Sequence, residues 1–123
     1  MIVGIGVDLV DLARFERAVD RTPRLRDRLF AESERDKPLR SLAGRFAAKE
    51  ALVKALGSDS GLHWHDITVV NSAEGDPRFE LTGETADVVA ARGITALHLS
   101  MSHDAGAAMA FVVAERADAE GAT

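Results

Sequence analysis

The 123-residue sequence contains no cysteine and no tyrosine, and it has one tryptophan and five phenylalanines. The absence of cysteine excludes disulfide bonds, thiolate-ligated zinc and a cysteine nucleophile. Because aromatic residues make up only 5% of the chain, the hydrophobic core must consist mainly of Ala, Val, Leu and Ile. Such a core buries less apolar area per residue, and oligomerisation could add to it.

Long apolar runs and an excess of positive charge are also missing. The longest strongly apolar stretch, residues 105–114, is far too short to span a bilayer. Asp8 interrupts the apolar start of the chain and no basic segment precedes it, which argues against a secretory signal. The net charge of −5 argues against general nucleic-acid affinity. We therefore expect a cytoplasmic protein that binds neither membranes nor nucleic acid.

The length and the apolar content of 46% predict one globular domain over residues 1–115. The small, polar residues 116–123 predict a flexible tail. Hydrophobic periodicity, Pro and Gly predict strands at 2–10, 67–70, 78–81, 95–102 and 107–115. The same signals predict a long helix from about residue 39 or 41 to 56, shorter helices at 12–20, after Thr22-Pro23, at 31–37 and at 82–92, a loop at 58–61 and a hairpin turn at 103–106.

The first predicted strand has two different faces. Val3, Ile5, Val7 and Leu9 point one way, whereas Gly4, Gly6 and Asp8 point the other way. The second face is nearly bare, so another backbone or a ligand can approach closely beside Asp8. A buried carboxylate is costly unless it is paired or bound to a metal. Asp8 is therefore either a ligand-binding residue or a cap that binds a backbone amide at the strand end.

The segment Arg45–Lys54 places one carboxylate among three cations on a predicted helix. Phe46, Glu50 and Lys54 lie at i, i+4 and i+8 and share a face, and Arg45 and Lys49 form the adjacent row. This pattern is typical either of a helix that holds a metal next to a phosphate or of a solvated face with ordinary Glu–Lys pairing. Together Asp8 and Glu50 could hold Mg²⁺, provided that the strand and the helix meet.

An arginine cluster follows the first strand. Three acidic residues lie among its six arginines, which are Arg14, Arg17, Arg21, Arg24, Arg26 and Arg28. Arg14, Arg17, Arg21, Arg24 and Arg28 step by three and four residues, so they would form a stripe on a continuous helix, which Pro23 should break in two. This cluster is either a docking surface for an acidic protein or a solvated face paired with Glu16, Asp20 and Asp27.

Two histidine segments are weaker candidates. Ser102-His103-Asp104 lies at a predicted strand end, where His103 could contact a phosphate or nucleotide and Asp104 could accept a proton. Consecutive residues cannot form a Ser-His-Asp hydrolase triad, and the alternative is that Asp104 builds the turn while His103 is surface. His63 and His65 are two imidazoles without further ligands, so we expect them to be incidental and Trp64 to be in the core.

Three segments together resemble the holo-[acyl-carrier-protein] synthases, which are the small, single-domain 4′-phosphopantetheinyl transferases. They are Gly4-Ile5-Gly6-Val7-Asp8, the segment Gly44–Lys54, and Ser100-Met101-Ser102-His103. The resemblance covers residues 2–115. It implies an α+β, 4′-phosphopantetheinyl transferase-like fold, in which a mostly antiparallel sheet wraps around one long central helix with short extra helices. It also implies a homotrimer with sites at subunit interfaces, which suits an Ala-rich core and the bare glycine face.

The resemblance further implies a reaction: coenzyme A donates its 4′-phosphopantetheine arm to a serine of apo acyl carrier protein and leaves as adenosine 3′,5′-bisphosphate. Fatty-acid synthesis, and possibly polyketide synthesis, would use the product. The implied metal is Mg²⁺, or Mn²⁺, on Asp8 and Glu50. Catalytic roles fall on Glu50, Lys54, His103 and Asp104. Contacts to coenzyme A fall on Arg45, Phe46, Lys49, Lys54, Ser102 and His103.

The arginine cluster, chiefly Arg14, Arg17, Arg21 and Arg24, would dock the acidic carrier protein. At residue 104 the family more often has Thr, so Asp104 is a candidate general base here, with Glu50 and a metal-bound water as alternatives. Two other functions remain open from the residues alone: another Mg²⁺-dependent phosphate or nucleotide enzyme, and a binding module for an acidic partner without turnover.

Overall fold

The computed structural model describes residues 1–57 and 61–118, so most of the predicted loop at 58–61 lies outside the described residues. The described strands are β1 (Ile2–Asp11), β2 (Ile67–Asn71), β3 (Pro77–Leu81), β4 (Ala96–Asp104) and β5 (Ala107–Glu115). The described helices are α1 (Leu12–Arg21), α2 (Arg24–Leu29), α3 (Leu39–Leu56) and α4 (Gly83–Ala91). No helix within these ranges combines the length and the apolar character that a membrane span requires.

The strands form two antiparallel sheets. The larger sheet has the order β1-β5-β4, and β2 and β3 form a separate hairpin. In the larger sheet Val7 pairs with Phe111 and Ile5 with Val113, so β1 and β5 present matching faces from Gly4 to Asp11, and the register shifts between Ile2 and Gly4. The predicted α+β class with antiparallel strands around a long helix is confirmed, with the strands divided between two sheets.

Helix α3 is the centre of the molecule. It begins directly after Pro38 and ends at Leu56. Gly57 follows, and its φ of 96° is a conformation that glycine adopts without a steric penalty. Ten of its eighteen residues are buried, among them Ala47, Ala48 and Ala51. These small side chains let α3 pack closely across β1 and β5.

The bare face of β1 explains how closely α3 approaches the sheet. A Cβ atom on Gly6 would lie 1.9 Å from the Ala51 carbonyl oxygen, and one on Gly4 would lie 1.9 Å from the Ala55 carbonyl oxygen. The close backbone approach predicted for this face is therefore confirmed, and the approaching backbone is that of α3. This corrects our association of the glycine face with a second subunit, because α3 of the same protomer covers it.

The opposite face of the larger sheet is exposed and apolar. Leu9 is 69%, Ile5 56% and Phe111 41% exposed, although all three are large hydrophobic residues. Monomeric proteins rarely leave such a contiguous apolar patch in water. This face is available to pack against a second chain.

Two local predictions are wrong in detail. The helix expected at 31–37 is a single 3₁₀ turn, Glu32–Glu34, because the Glu34 side chain turns inward and accepts a hydrogen bond from the Ala31 amide. His103 and Asp104 belong to β4 rather than to the turn, since they pair with Ala108 and Ala107. The turn itself contains only Ala105 and Gly106, whose φ values of 49° and 75° fit a two-residue hairpin.

The start of the predicted tail is held against the N-terminus. The Arg116 amide donates to the Met1 carbonyl oxygen at 2.8 Å, and the Met1 amino group donates to the Arg116 carbonyl oxygen at 2.8 Å. These contacts extend the β1–β5 pairing by one residue. Residues 119–123 of the predicted tail lie outside the described residues.

Candidate active site

Asp8 and Glu50 line one cavity of about 460 Å³ between β1, α1 and α3. Asp8 reaches this cavity because successive side chains of β1 point to opposite faces, so Asp8 lies on the same face as Gly4 and Gly6, against α3. Phe46 lines the same cavity one helical turn before Glu50, as the i, i+4 spacing predicts. The structure thus brings together two carboxylates that are 42 positions apart in the sequence.

Lys54 completes this charged group. Its Nζ atom lies 2.9 Å from Asp8 Oδ1 and donates a hydrogen bond to the Val7 carbonyl oxygen at 3.0 Å. Burial and the nearby Asp8 charge raise the pKa of the Glu50 carboxyl, whereas the Lys54 charge opposes this rise. Lys54 pairs with Asp8, so two carboxylates meet beside a single ammonium group and are arranged to receive a further cation.

The donor set at this site fits a hard cation. Among the described residues, no group of three or more His, Cys, Asp or Glu side chains gathers around a common point. A pair of carboxylates is nevertheless what Mg²⁺ commonly takes from a protein, since waters and substrate phosphates complete its octahedron. Asp8 and Glu50 therefore fit a magnesium site that depends on a phosphate ligand.

Aromatic side chains form the inner wall of this cavity. The Phe46 ring lies between Phe15, with ring centroids 5.7 Å apart, and Trp64, with ring centroids 6.0 Å apart. Trp64 is partly buried and packs against the core, as predicted. The adjacent His63 and His65 bind different groups, the Glu84 carboxylate and the Asp27 carbonyl oxygen, so these imidazoles share no ligand site.

A second cavity, of about 610 Å³, contains Arg45 and His103. Gly44 makes room for the imidazole, because a Cβ at Gly44 would lie 3.2 Å from His103 Nε2. Arg40 and Ser41 line the same cavity, and Arg45 Nη1 donates a hydrogen bond to Ser41 Oγ. Two arginines and an imidazole around a cavity of this size suit an anionic ligand.

Ser102 and Asp104 lie on the other face of β4 from His103. Ser102 pairs with the exposed Met109, whereas His103 pairs with the buried Ala108. Because neighbouring residues of a strand point to opposite faces, Ser102 and His103 cannot bind one small ligand side by side. At the strand end, however, Asp104 lines a third cavity of about 240 Å³ together with His103 and Arg40. Within one protomer the predicted site residues are therefore divided among three cavities and the exposed apolar face.

Lys49 corrects one prediction. Its side chain is fully buried, and Nζ donates to Glu34 Oε1 at 2.6 Å, to the Leu29 carbonyl oxygen at 2.9 Å and to the Trp64 carbonyl oxygen at 3.3 Å. All three donors of the ammonium group are used, so none is free for a nucleotide or a phosphate. The expectation that Lys49 contacts the coenzyme is therefore wrong.

The arginine cluster lies on two helices, as the break at Pro23 predicted. Five of its members are exposed, whereas Arg26 is half-buried and donates a hydrogen bond to the Arg35 carbonyl oxygen. In the part of the chain that the structure describes, no carboxylate lies within 4.0 Å of the guanidinium group of Arg14, Arg17, Arg21 or Arg24. Internal pairing with Glu16, Asp20 and Asp27 therefore does not account for these charges. Arg14 also lines the cavity of Asp8 and Glu50, which places the cluster beside the acidic pair.

Sequence reasoning missed Arg40 and Glu34. Arg40 carried a weak signal, since it begins the same helix that carries Arg45. Glu34 carried none, because its partners lie at Ala31, Arg45, Lys49 and Val69 and share no periodic relation with it.

Residues 4–112 match the family model of the 4′-phosphopantetheinyl transferase superfamily. The chain is 64% identical to holo-[acyl-carrier-protein] synthase of Clavibacter sepedonicus over 115 residues, which cover 94% of this chain and 97% of that protein.

Two crystal structures are also similar. The holo-[acyl-carrier-protein] synthase of Neisseria meningitidis superposes with a TM-score of 0.86 at 35% identity, covering 94% of this chain and all of that chain. The Helicobacter pylori synthase, solved in complex with coenzyme A, superposes with a TM-score of 0.77 at 39% identity, covering 90% of this chain and 99% of that chain. The fold expected from the resemblance is confirmed.

Proposed function

The chain belongs to the 4′-phosphopantetheinyl transferase superfamily, and we propose that it transfers the 4′-phosphopantetheine arm of coenzyme A to a serine of apo acyl carrier protein. The serine oxygen forms a bond to the phosphorus that carries pantetheine, and the bond from this phosphorus to the bridging oxygen breaks. Adenosine 3′,5′-bisphosphate leaves, and the serine proton passes to a base. The observation that carries this proposal is the meeting of three charged residues: Asp8 and Glu50 line one cavity, and the Lys54 ammonium group contacts Asp8.

Asp8 and Glu50 would hold Mg²⁺, or Mn²⁺, when coenzyme A binds. The bound ion supplies neutralising charge to the diphosphate. Support comes from the two carboxylate side chains and from the raised pKa of Glu50, which reflects burial first and the nearby Asp8 charge second. Lys54 is about half exposed, so its ammonium group can leave Asp8 and reach the charge that develops on the leaving phosphate.

The nucleotide part of coenzyme A would bind in the cavity of Arg45 and His103. Arg40 and Arg45 provide cationic donors for phosphate oxygens, and His103 provides a ring that can contact the nucleotide. Phe46 lies beside Glu50 and can contact the pantetheine arm. The Helicobacter pylori relative was solved with coenzyme A, which agrees with this choice of substrate.

A homotrimer would complete the site. The acidic pair and His103 line different cavities of one protomer, so a neighbouring copy can contribute the second part. The exposed apolar face formed by Ile5, Leu9 and Phe111 is a surface that such a copy could cover. Ser102 lies on that face beside Met109 and would reach the coenzyme only across the interface.

The arginine cluster would dock the carrier protein. Its exposed guanidinium groups lack carboxylate partners among the described residues, and acyl carrier proteins are acidic helical bundles. Arg14 would lie nearest the reacting phosphate because it also lines the acidic cavity. The holo-carrier product would serve fatty-acid synthesis, and possibly polyketide synthesis, in the cytoplasm.

The proton acceptor is either Asp104, Glu50 or a water at the metal. Asp104 is exposed at the end of β4, so it would act on a serine bound across the interface. Glu50 lies in the cavity itself, and its raised pKa makes it a better base than an ordinary carboxylate.

A transfer assay tests this function. Purified protein, coenzyme A labelled in the pantetheine arm, apo carrier and Mg²⁺ should give labelled carrier, and chelation of the metal should stop the reaction. Consumption of coenzyme A without carrier would instead indicate a hydrolase. Carrier binding that needs neither metal nor coenzyme A, with no labelled product, would indicate a binding module.

A further inference from the structure

A buried ion pair lies next to the proposed nucleotide cavity. Glu34 is 1% exposed and Lys49 is fully buried, and neither side chain can reach a substrate. Burial lowers the pKa of Lys49, and the Glu34 carboxylate opposes this effect. A buried pair of this kind rarely adds net stability compared with apolar residues of the same shape, so its presence calls for another role.

The two oxygens of Glu34 serve different partners. Oε1 accepts hydrogen bonds from Lys49 Nζ at 2.6 Å and from the Ala31 amide at 3.1 Å. Oε2 accepts from the Val69 amide at 3.1 Å and faces Arg45 Nε at 3.5 Å. The carboxylate is thus fixed from three sides by groups in the core, and its remaining direction faces Arg45.

Arg45 depends on this carboxylate for its placement. Its Nε atom is buried and makes no hydrogen bond with any group in the described ranges, and Glu34 provides the facing negative charge. The other end of the guanidinium group reaches Ser41, in the wall of the cavity that contains His103. Without Glu34, a buried cationic edge would lose the one carboxylate within 4.0 Å of it among the described residues.

We propose that Glu34 is a positioning residue for the nucleotide: it holds the Arg45 guanidinium group at the wall of the cavity, and Lys49 and the Ala31 and Val69 amides keep Glu34 in place. This inference rests on the proposed function, in which Arg45 contacts the nucleotide. The competing explanation is purely structural, with Glu34 present only to neutralise Lys49. The two explanations predict different behaviour once both buried charges are removed.

Three variants separate them. Glu34→Gln alone leaves Lys49 buried without a counter-charge, so it should lower the urea midpoint strongly. Lys49→Met removes the ammonium group but keeps the carboxylate beside Arg45. Glu34→Gln/Lys49→Met removes both charges with nearly unchanged shapes, and it should regain much of the stability that Glu34→Gln loses.

The readout is the Kd of adenosine 3′,5′-bisphosphate by calorimetry, together with kcat and the KM for coenzyme A. Lys49→Met should bind the nucleotide about as tightly as the wild type. The double variant should bind it about tenfold more weakly, since the carboxylate that faces the buried Arg45 Nε atom is lost. Its KM for coenzyme A should rise by a similar factor, whereas kcat at saturating coenzyme A should change little.

Equal nucleotide affinity in the double variant and the wild type would overturn the proposal and leave Glu34 a structural role. A second test uses Arg45→Ala as the background, where adding Glu34→Gln/Lys49→Met should weaken nucleotide binding no further. A further tenfold loss there would show that Glu34 does not act through Arg45. If the wild type neither binds the nucleotide nor transfers the arm, the proposed function itself fails, and this inference fails with it.

Discussion

Replacing Gly6 by alanine tests the packing that brings Asp8 to Glu50. The added Cβ would lie 1.9 Å from the Ala51 carbonyl oxygen and 2.8 Å from the Ala55 amide nitrogen. Both neighbours are backbone atoms of α3, so no side chain can rotate away. To restore an ordinary contact of 3.4 Å, the strand and the helix must separate by roughly 1.5 Å.

This separation should be costly for stability and for activity. Overpacking that a rotamer change cannot relieve is expected to cost about 3 kcal/mol, the upper end of the usual range, out of a total of about 5–15 kcal/mol for a typical domain. Asp8 follows Gly6 by two residues, and Glu50 directly precedes Ala51, so the two carboxylates should also move apart. A displacement of about 1 Å at a reacting group can lower kcat about 100-fold.

Urea unfolding at a fixed protomer concentration measures the first effect, because the stability of an oligomer depends on concentration. Gly61→Ala is the matched control: its φ is 73°, and the nearest contact of its Cβ would be Val88 Cγ2 at 3.9 Å. The control adds a methyl group and about 1 kcal/mol of backbone strain, without pressing the helix from the sheet. If Gly6→Ala lowers the free energy of unfolding no more than Gly61→Ala, the packing argument is wrong.

Four further predictions concern the site and its surfaces. In steady-state kinetics Arg21→Glu should raise the KM for carrier and leave the affinity for coenzyme A intact. An equal loss for both substrates would argue against the arginine cluster as a docking surface. Arg14→Glu should also weaken the affinity for coenzyme A, because Arg14 lines the acidic cavity. Phe111→Lys should convert a trimer to monomers in sedimentation experiments without changing the circular dichroism spectrum, since Phe111 is 41% exposed on the apolar face. If the variant sediments with the mass of the wild-type assembly, the proposed interface is wrong. Asp104→Ala should lower kcat at least tenfold if Asp104 is the general base, and a near-normal kcat would exclude that role. Because the pKa of Glu50 is raised, the folded state binds more protons at this carboxyl than the unfolded state does, so the Glu50 carboxyl lowers the free energy of unfolding as pH rises from the acid range. Glu50→Gln should therefore be more stable than the wild type at pH 7 and lose this advantage below about pH 4. A lower stability of Glu50→Gln at pH 7 would show that the direction of this pH effect is wrong.

Much of the fold was predictable because its signals are local. Pro38 and Gly57 mark the ends of α3. The alternation of large apolar residues with Gly and Asp indicates strand β1, and the turn before Ala107 separates β4 from β5. Helical spacing placed Phe46 and Glu50 on one face, and both line one cavity. The error at 31–37 has a tertiary cause, since Glu34 ends the short turn by binding Lys49 and the Val69 amide, both distant in sequence.

The amino-acid sequence by itself determined the order of the elements, the glycine face of β1 and the grouping of Phe46, Glu50 and Lys54 along α3, because each depends on spacing within one segment. Only the tertiary structure decided which charged residues line a cavity. Glu50 and Lys49 are adjacent on α3, yet one lines the cavity and the other is buried against Glu34. Helical periodicity assigns a residue to a face, but the segments that pack against that face come from distant parts of the chain, and they determine what is exposed.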